Sequence, residues 1–152
     1  MPSLEAQIDQ DLKESMKAHD AVRTSTLRLL KSSLHAAAID QRVECLADAD
    51  ALAILGRQIK QRREAIDAYR QGGRADLVAK EEAELAILLR YEPPQLTTEE
   101  LATLVQKAVA TVGATGPADQ GKVMKQLMPH VQGRADGKRV SQMVVERLGR
   151  TA

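Results

Sequence analysis

Phenylalanine and tryptophan are missing from this 152-residue chain, and Tyr69 and Tyr91 are its only aromatic residues. A core must therefore be assembled from Leu, Ile, Val, Met and Ala, which suits thin, extended helix packing. Stacking of nucleic-acid bases on aromatic rings is for the same reason a poor expectation. Cysteine occurs once, at Cys45, which excludes an intrachain disulfide and any multi-cysteine metal site. No apolar run approaches the roughly 20 residues of a membrane span. The opening MPSLEAQIDQ lacks the apolar centre of a signal peptide. A free thiol and no leader lead to the expectation of a soluble, cytoplasmic protein without a membrane role.

What is present favours helix. Ala, Leu, Gln, Glu, Lys and Arg dominate, and no alternating strand pattern occurs anywhere, so the expected class is all-α. The clearest break is Glu92-Pro93-Pro94-Gln95, because consecutive prolines lack amide donors and push the preceding residue out of helical geometry. It divides the chain into residues 1–92, expected as a bundle of about four helices, and residues 95–152, expected as three short helices. Charge divides at the same place. Residues 1–94 hold 14 Lys/Arg against 16 Asp/Glu, whereas residues 95–152 hold 8 against 5.

Ser3 caps a first helix carrying Leu4, Ile8, Leu12 and Met16 on one face. Asp20 caps a second, to about Val43, with a stripe of Leu27, Leu30, Leu34 and Ala38 and a second apolar side at Val22 and Leu29. Two apolar sides imply a helix sandwiched between neighbours. The same helix lines up Arg28, Lys31, His35 and Arg42, either a solvated polar face or a row of phosphate contacts. A third helix, capped by Asp48 or Asp50, runs to the Gly72-Gly73 turn. A fourth runs from Ala75 to about Arg90 with Leu77, Leu85 and Leu88 buried. Folding the chain back at the glycines sets Arg62 opposite Ala83 and Glu84, about a turn from Glu81. Arg62 then either pairs with Glu81 or Glu84 or lays its stem over apolar surface and reaches outward.

After the prolines, Thr97-x-x-Glu100 fits a capping box. The helix it opens ends at Gly113. Asp119 then caps a short helix with Val123, Met124, Leu127 and Met128, expected to stop at Pro129. Gly133 frees the next turn, and Asp136 caps a last helix with Val140, Val144 and Leu148. Gly121 to Asp136 is thus a basic helix-turn-helix elbow. Lys122, Lys125, Arg134, Lys138 and Arg139 lie within eighteen residues, opposed there only by Asp136. They either keep a small domain soluble or form a surface where backbone amides near Gly133 approach phosphates.

Other chemistry finds little support. Gly116 to Lys122 satisfies GxxxxGK, but Val123 stands where a magnesium-binding hydroxyl is needed, and the preceding segment is helical. His19, His35 and His130 have no carboxylate or cysteine at a ligand spacing. Cys45 has no activating partner in sequence, and no serine lies in a nucleophile-elbow context. No catalytic residue, metal or cofactor is assigned.

GKVMKQLMPHVQGRAD, followed by Val140 and Val144 and closing on ERL, resembles the GatB/YqeY C-terminal module. STLRLLKSSL, IKQRREAIDAYRQGGRADLVAKEEAELAIL and YEPPQLTTEEL resemble the free-standing YqeY branch, so the likeness covers nearly the whole chain. It departs from the family pattern at Glu92, where Leu is common, and at Lys125, where Gly is common; the second change adds a charge to the elbow. The resemblance implies an N-terminal helical domain, a three-helix module and kinship with the B subunit of the glutamine-dependent aminoacyl-tRNA amidotransferase, whose homologous tail contacts tRNA. The chain is too short for that subunit's catalytic portion. The leading expectation is a monomeric, non-catalytic binder of tRNA or other structured RNA. Lys122, Lys125, Arg134, Lys138, Arg139 and the Gly133 turn would make the contacts, with Arg28, Lys31 and Arg42 as a second surface. An alternative is an accessory in tRNA amidation, partnered by amidotransferase subunits or tRNA synthetases. A third is a protein-binding adaptor, which requires an exposed apolar patch on the N-terminal bundle.

Overall fold

The computed structural model describes residues 1–149, and among them every regular element is helical. The class expected from composition is the class observed. Two compact units are present, Met1–Glu92 and a second beginning at Pro93.

In the first unit, α1 (Leu4–Lys17), α2 (Ala21–Gln41), α3 (Asp48–Gln71) and α4 (Ala75–Leu89) form an antiparallel bundle. Ser3 accepts from the Ala6 amide and Asp20 from the Arg23 amide, so both expected caps are made. The core joins Ile8 and Leu12 of α1 to Leu27, Leu30 and Leu34 of α2, Leu55 and Ile59 of α3, and Leu88 of α4. Fully burying a Leu or Ile side chain contributes about 1.5–3 kcal/mol, so this aliphatic cluster carries the unit, with Tyr91 packed at its margin. Met16 is about half exposed and Ser15 is buried in its place. The serine tolerates burial because its Oγ donates to the Leu12 carbonyl at 2.8 Å and shares a hydrogen bond with Thr24 Oγ1 at 2.8 Å.

Four further expectations are corrected in this unit. α2 is not sandwiched: α1, α3 and α4 pack against it, yet Val22 and Leu29 stay exposed. α2 also ends at Gln41, because Arg42 takes the left-handed cap conformation (φ 58°). Neither Asp48 nor Asp50 caps α3; Ala47 holds the cap position, and Asp48 Oδ1 instead accepts from the Leu4 amide at 3.0 Å, tying α3 to α1. In α4, Leu77 and Leu85 are only half-buried, and Glu84 and Leu88 are the buried residues.

The α3–α4 hairpin turns at Gly73 (φ 68°), with the Arg74 amide returning to the Tyr69 carbonyl. Its register brings Arg62 Nη1 to Glu81 Oε2 at 3.0 Å and also into contact with Glu84. The pairing alternative for Arg62 is the one realised. All three side chains are less than a fifth exposed.

The second unit holds α5 (Thr98–Val112), a 3-10 turn (Pro117–Asp119), α6 (Gln120–Val131) and α7 (Gly137–Gly149). Thr97 Oγ1 accepts from the Glu100 amide while Glu100 accepts from the Thr97 amide, completing the capping box. Leu101, Val105, Val123, Leu127, Val140, Val144 and Leu148 interlock as a core of its own.

α6 does not stop at Pro129 but runs through it to Val131. Proline removes one amide donor and crowds the carbonyl four residues earlier, here that of exposed Lys125, where water can serve. The helical bonding resumes with the Gln132 amide on the Met128 carbonyl at 3.0 Å, and Val131 is seated in the core. Asp119 does not cap α6. Its Oδ2 accepts from the Thr115 amide at 2.9 Å and so closes the preceding turn.

Candidate nucleic-acid interface

The elbow is built from local chemistry on both sides of a turn. Val123, Leu127 and Val131 face inward, which by helical spacing directs Lys122 and Lys125 outward, about 60° apart. Gly133 takes φ 75°, a left-handed value that a residue with a Cβ adopts at a cost. Asp136 Oδ1 then accepts from the Lys138 amide at 3.4 Å, a weak cap for α7.

The turn is held by a strap that no local pattern announces. The Leu96 amide donates to the Arg134 carbonyl at 2.8 Å, and Gln95 Nε2 donates to the Gly133 carbonyl at 2.9 Å. Leu96 is buried in the second core, which anchors the strap. Gln95 and Leu96 are thus positioning residues for the elbow. Their separation of 38 residues from the turn left no signal in the sequence beyond the proximity of Leu96 to a capping box.

Each expected contact residue can now be placed. Lys122 lies 3.9 Å from Asp119 and remains strongly exposed, a pairing of small worth. The Thr115 amide first, and Lys122 after it, hold the Asp119 carboxyl below its usual range. Lys125 is exposed and, like Lys138, enters no ion pair among the described residues. Arg134 Nη1 folds back onto the His130 carbonyl at 3.2 Å, and Arg139 Nη2 reaches the Thr98 hydroxyl. Both partners are neutral, so both guanidinium charges stay uncompensated. Lys138 and Arg139 occupy the first turn of α7, which holds no acid, and α6 likewise begins without one. Their cationic field therefore adds to the positive helix ends.

The second stripe fares differently. Lys31 Nζ lies 2.7 Å from Asp9 Oδ1 on α1. Arg42 has left the helical line at the left-handed cap, and Arg28 is exposed without an ion pair. The structure does not assemble Arg28, Lys31 and Arg42 into one row.

Cys45 is exposed, and hydrogen bonding to Glu5, together with its charge, pushes the thiol up, away from the reactive thiolate. Among the described residues no three His, Cys, Asp or Glu side chains converge to hold a metal, and no helix is long and apolar enough to cross a membrane.

Fold and surface together define a two-unit, all-helical protein whose second unit presents a positively charged helix-turn-helix elbow. This chain belongs to the YqeY family: the family model described as "Yqey-like protein" matches residues 5–148. Among curated proteins, it is 30% identical to "Altered inheritance of mitochondria protein 41, mitochondrial" of Pyrenophora tritici-repentis, over 98% of this chain and 81% of that protein. The protein of the same name from Eremothecium gossypii is 36% identical over 64% of this chain and 54% of its own length, so the match spans about half of that relative. A Kluyveromyces lactis protein of that name is 30% identical over 77% of this chain and 64% of its own length.

These names overturn the cytoplasmic expectation, since the relatives are mitochondrial proteins by name. The physical reason is that a lone cysteine has no intrachain partner in any compartment, so the free thiol of Cys45 does not select the cytosol.

Proposed function

We propose that the second unit is a non-catalytic module that binds structured RNA, tRNA foremost, through the elbow. The observation that supports this reading is charge left without counter-charge. Lys125, Arg134, Lys138 and Arg139 have no carboxylate within ion-pair distance among the described residues. In the first unit Arg23, Lys31, Arg62, Arg70 and Arg74 pair with acids while others, Arg28, Arg42 and Arg57 among them, do not; the elbow is set apart by gathering its unpaired cations within fifteen residues around one turn. A cluster of unpaired cations around a helix N-terminus attracts phosphate oxygens, and the tight turn at Gly133 lets backbone approach them. Recognition rests on backbone and shape, because the unit has no aromatic side chain to stack on bases.

Four phosphate contacts predict a slope of log affinity on log salt of about −3, and each neutralised cation reduces it by about one. The test is fluorescence anisotropy with labelled tRNA across a salt series, for the full chain and the triple variant Lys125→Glu, Arg134→Glu, Lys138→Glu. The names of the relatives make mitochondrial tRNA the first pool to examine. Absence of binding at low salt, or affinity indifferent to salt, removes the proposal. Co-purification with amidase subunits in place of RNA would favour the accessory role in tRNA amidation, a reading supported by family kinship alone.

A further inference from the structure

Four of the large apolar side chains that remain exposed lie on α2 or just beyond it: Val22, Leu29, Ile39 and Val43, between 44% and 61% accessible. Within α2 they follow a heptad. Val22, Leu29 and Ala36 are spaced by seven residues, and Ser25, Ser32 and Ile39 interleave with them at the same spacing. This is the a/d pattern of a helix–helix seam, with small residues at Ser25, Ser32 and Ala36 that let a second backbone approach closely. From Val22 to Ile39 it runs about 26 Å along the helix. The opposite side of α2 is the one used by Leu27, Leu30, Leu34 and Ala38 for the bundle core, so the seam is covered by nothing in its own unit.

One flank of the seam is basic at the same period. Arg28 and His35 occupy the position that borders an a/d stripe and sets partner choice by charge, and Arg42 follows at the end of the helix. Arg28 and Arg42 form no ion pair, whereas Lys31, further round, is already paired with Asp9. The other flank carries Ser33 and a single acid, Asp40. Beside it opens a groove of about 330 Å³ between α2 and α3, lined by Leu29, Ser33, Gln58, Gln61, Arg62 and Glu81. At the lower end of the range of ligand pockets, it has room for one or two inserted side chains. Across it, Gln58 Nε2 donates to Ser33 Oγ at 2.8 Å. Arg57, next to the far wall, is also without an ion pair, and Glu64, two turns on, shares its side of α3.

We propose that the outer face of α2 docks an amphipathic helix of another protein, one with an apolar stripe at heptad spacing and acidic residues along its flank. The partner's apolar side chains would cover Val22, Leu29 and Ile39, one of them entering the groove beside Leu29. Its carboxylates would meet Arg28, with Arg42 lying just past the end of the helix. A second copy of this chain fits poorly. Antiparallel pairing opposes the Arg28 flank to itself, and parallel pairing sets Arg28 against Ser33 and leaves only His35 to face Asp40. The face lies in the first unit and is independent of the RNA reading of the second.

The test uses the full chain and a labelled synthetic peptide of about three heptads, with Leu at its seam and Glu on its flanks, beside a version carrying Lys in place of Glu. The glutamates also keep the peptide from pairing with itself. The expected result is binding of the acidic peptide at least about tenfold tighter than the lysine version, and a loss of about tenfold or more in Leu29→Glu. Arg28→Glu should reverse the preference between the two peptides. Leu29 is more than half exposed, so the variant should fold; should its melting curve collapse, Leu29→Ser with Ile39→Ser replaces it. The triple elbow variant should bind the peptide unchanged. Failure to bind either peptide, equal binding of both, a dimer of the chain abolished by Leu29→Glu, or displacement of the peptide by tRNA would each overturn the proposal.

Discussion

Replacing Arg62 with leucine leaves Glu81 and Glu84 facing one another, one helical turn apart, with their shared counter-charge gone. Removing one member of a fully buried ion pair costs about 3–5 kcal/mol, chiefly because the remaining charge stays desolvated. Here the side chains are 13%, 19% and 10% exposed, so water retains some access and part of the loss is recovered. We expect about 2–3 kcal/mol. Both tyrosines, Tyr69 and Tyr91, belong to the first unit, and the chain has no tryptophan, so tyrosine fluorescence follows that unit alone during urea unfolding. With a urea dependence of about 1.5 kcal/mol per molar, the midpoint should fall by roughly 1.3–2 M. The decisive control is the variant Arg62→Leu, Glu81→Leu, Glu84→Met, which removes the whole cluster and should recover most of the loss. A single variant that costs under about 0.5 kcal/mol would make the cluster a surface ornament. A triple variant as unstable as the single would assign the loss to packing of the arginine stem, refuting the argument from stranded charge.

Two smaller perturbations probe each unit separately. Thr97→Ala deletes one half of the capping box and should cost the second unit about 1 kcal/mol, with Thr97→Ser close to the parent, measured by circular dichroism melts. Tyr91 is half-buried and donates its hydroxyl to Asp11; burial first, then that bond and the Asp11 charge, push the phenol well above its ordinary value of 10.0. A raised folded-state value means stability present in full below pH 10 and lost as pH climbs above it, because the unfolded state releases the proton first. Tyr91→Phe should therefore cost about 1 kcal/mol at neutral pH yet show a flatter alkaline limb than the parent in urea midpoints taken from pH 8 upward, on Tyr69 fluorescence. Parallel limbs for the two proteins would contradict it.

The parts of the fold that were legible in the sequence are those whose causes are local. Apolar spacing placed the seven α-helices found among the described residues, and Thr97-x-x-Glu100 announced its capping box because both partners lie within one turn. Counting residues from Gly72-Gly73 even placed Arg62 against Glu81 and Glu84, since a tight hairpin converts sequence distance into register. Pro129 misled because its cost is local but the anchoring of Val131 is not. The relatives' names, rather than any residue, corrected the compartment.

The candidate surfaces divide along the same line. The density of cations between Lys122 and Arg139 is a property of the chain, and so is the heptad of Val22, Leu29 and Ala36. Which cations keep their charge unopposed was decided by tertiary placement: Asp9 reaches Lys31 from another helix, whereas Arg134 and Arg139 find only a carbonyl and a hydroxyl. Two apolar sides on α2 suggested burial on both, yet the bundle closes with three neighbours on one side, and the other stays exposed. Composition and periodicity determine helices, caps and faces through contacts a few residues long. Whether a face is covered or a charge neutralised depends on groups brought together from distant parts of the chain, and only the folded arrangement sets those distances.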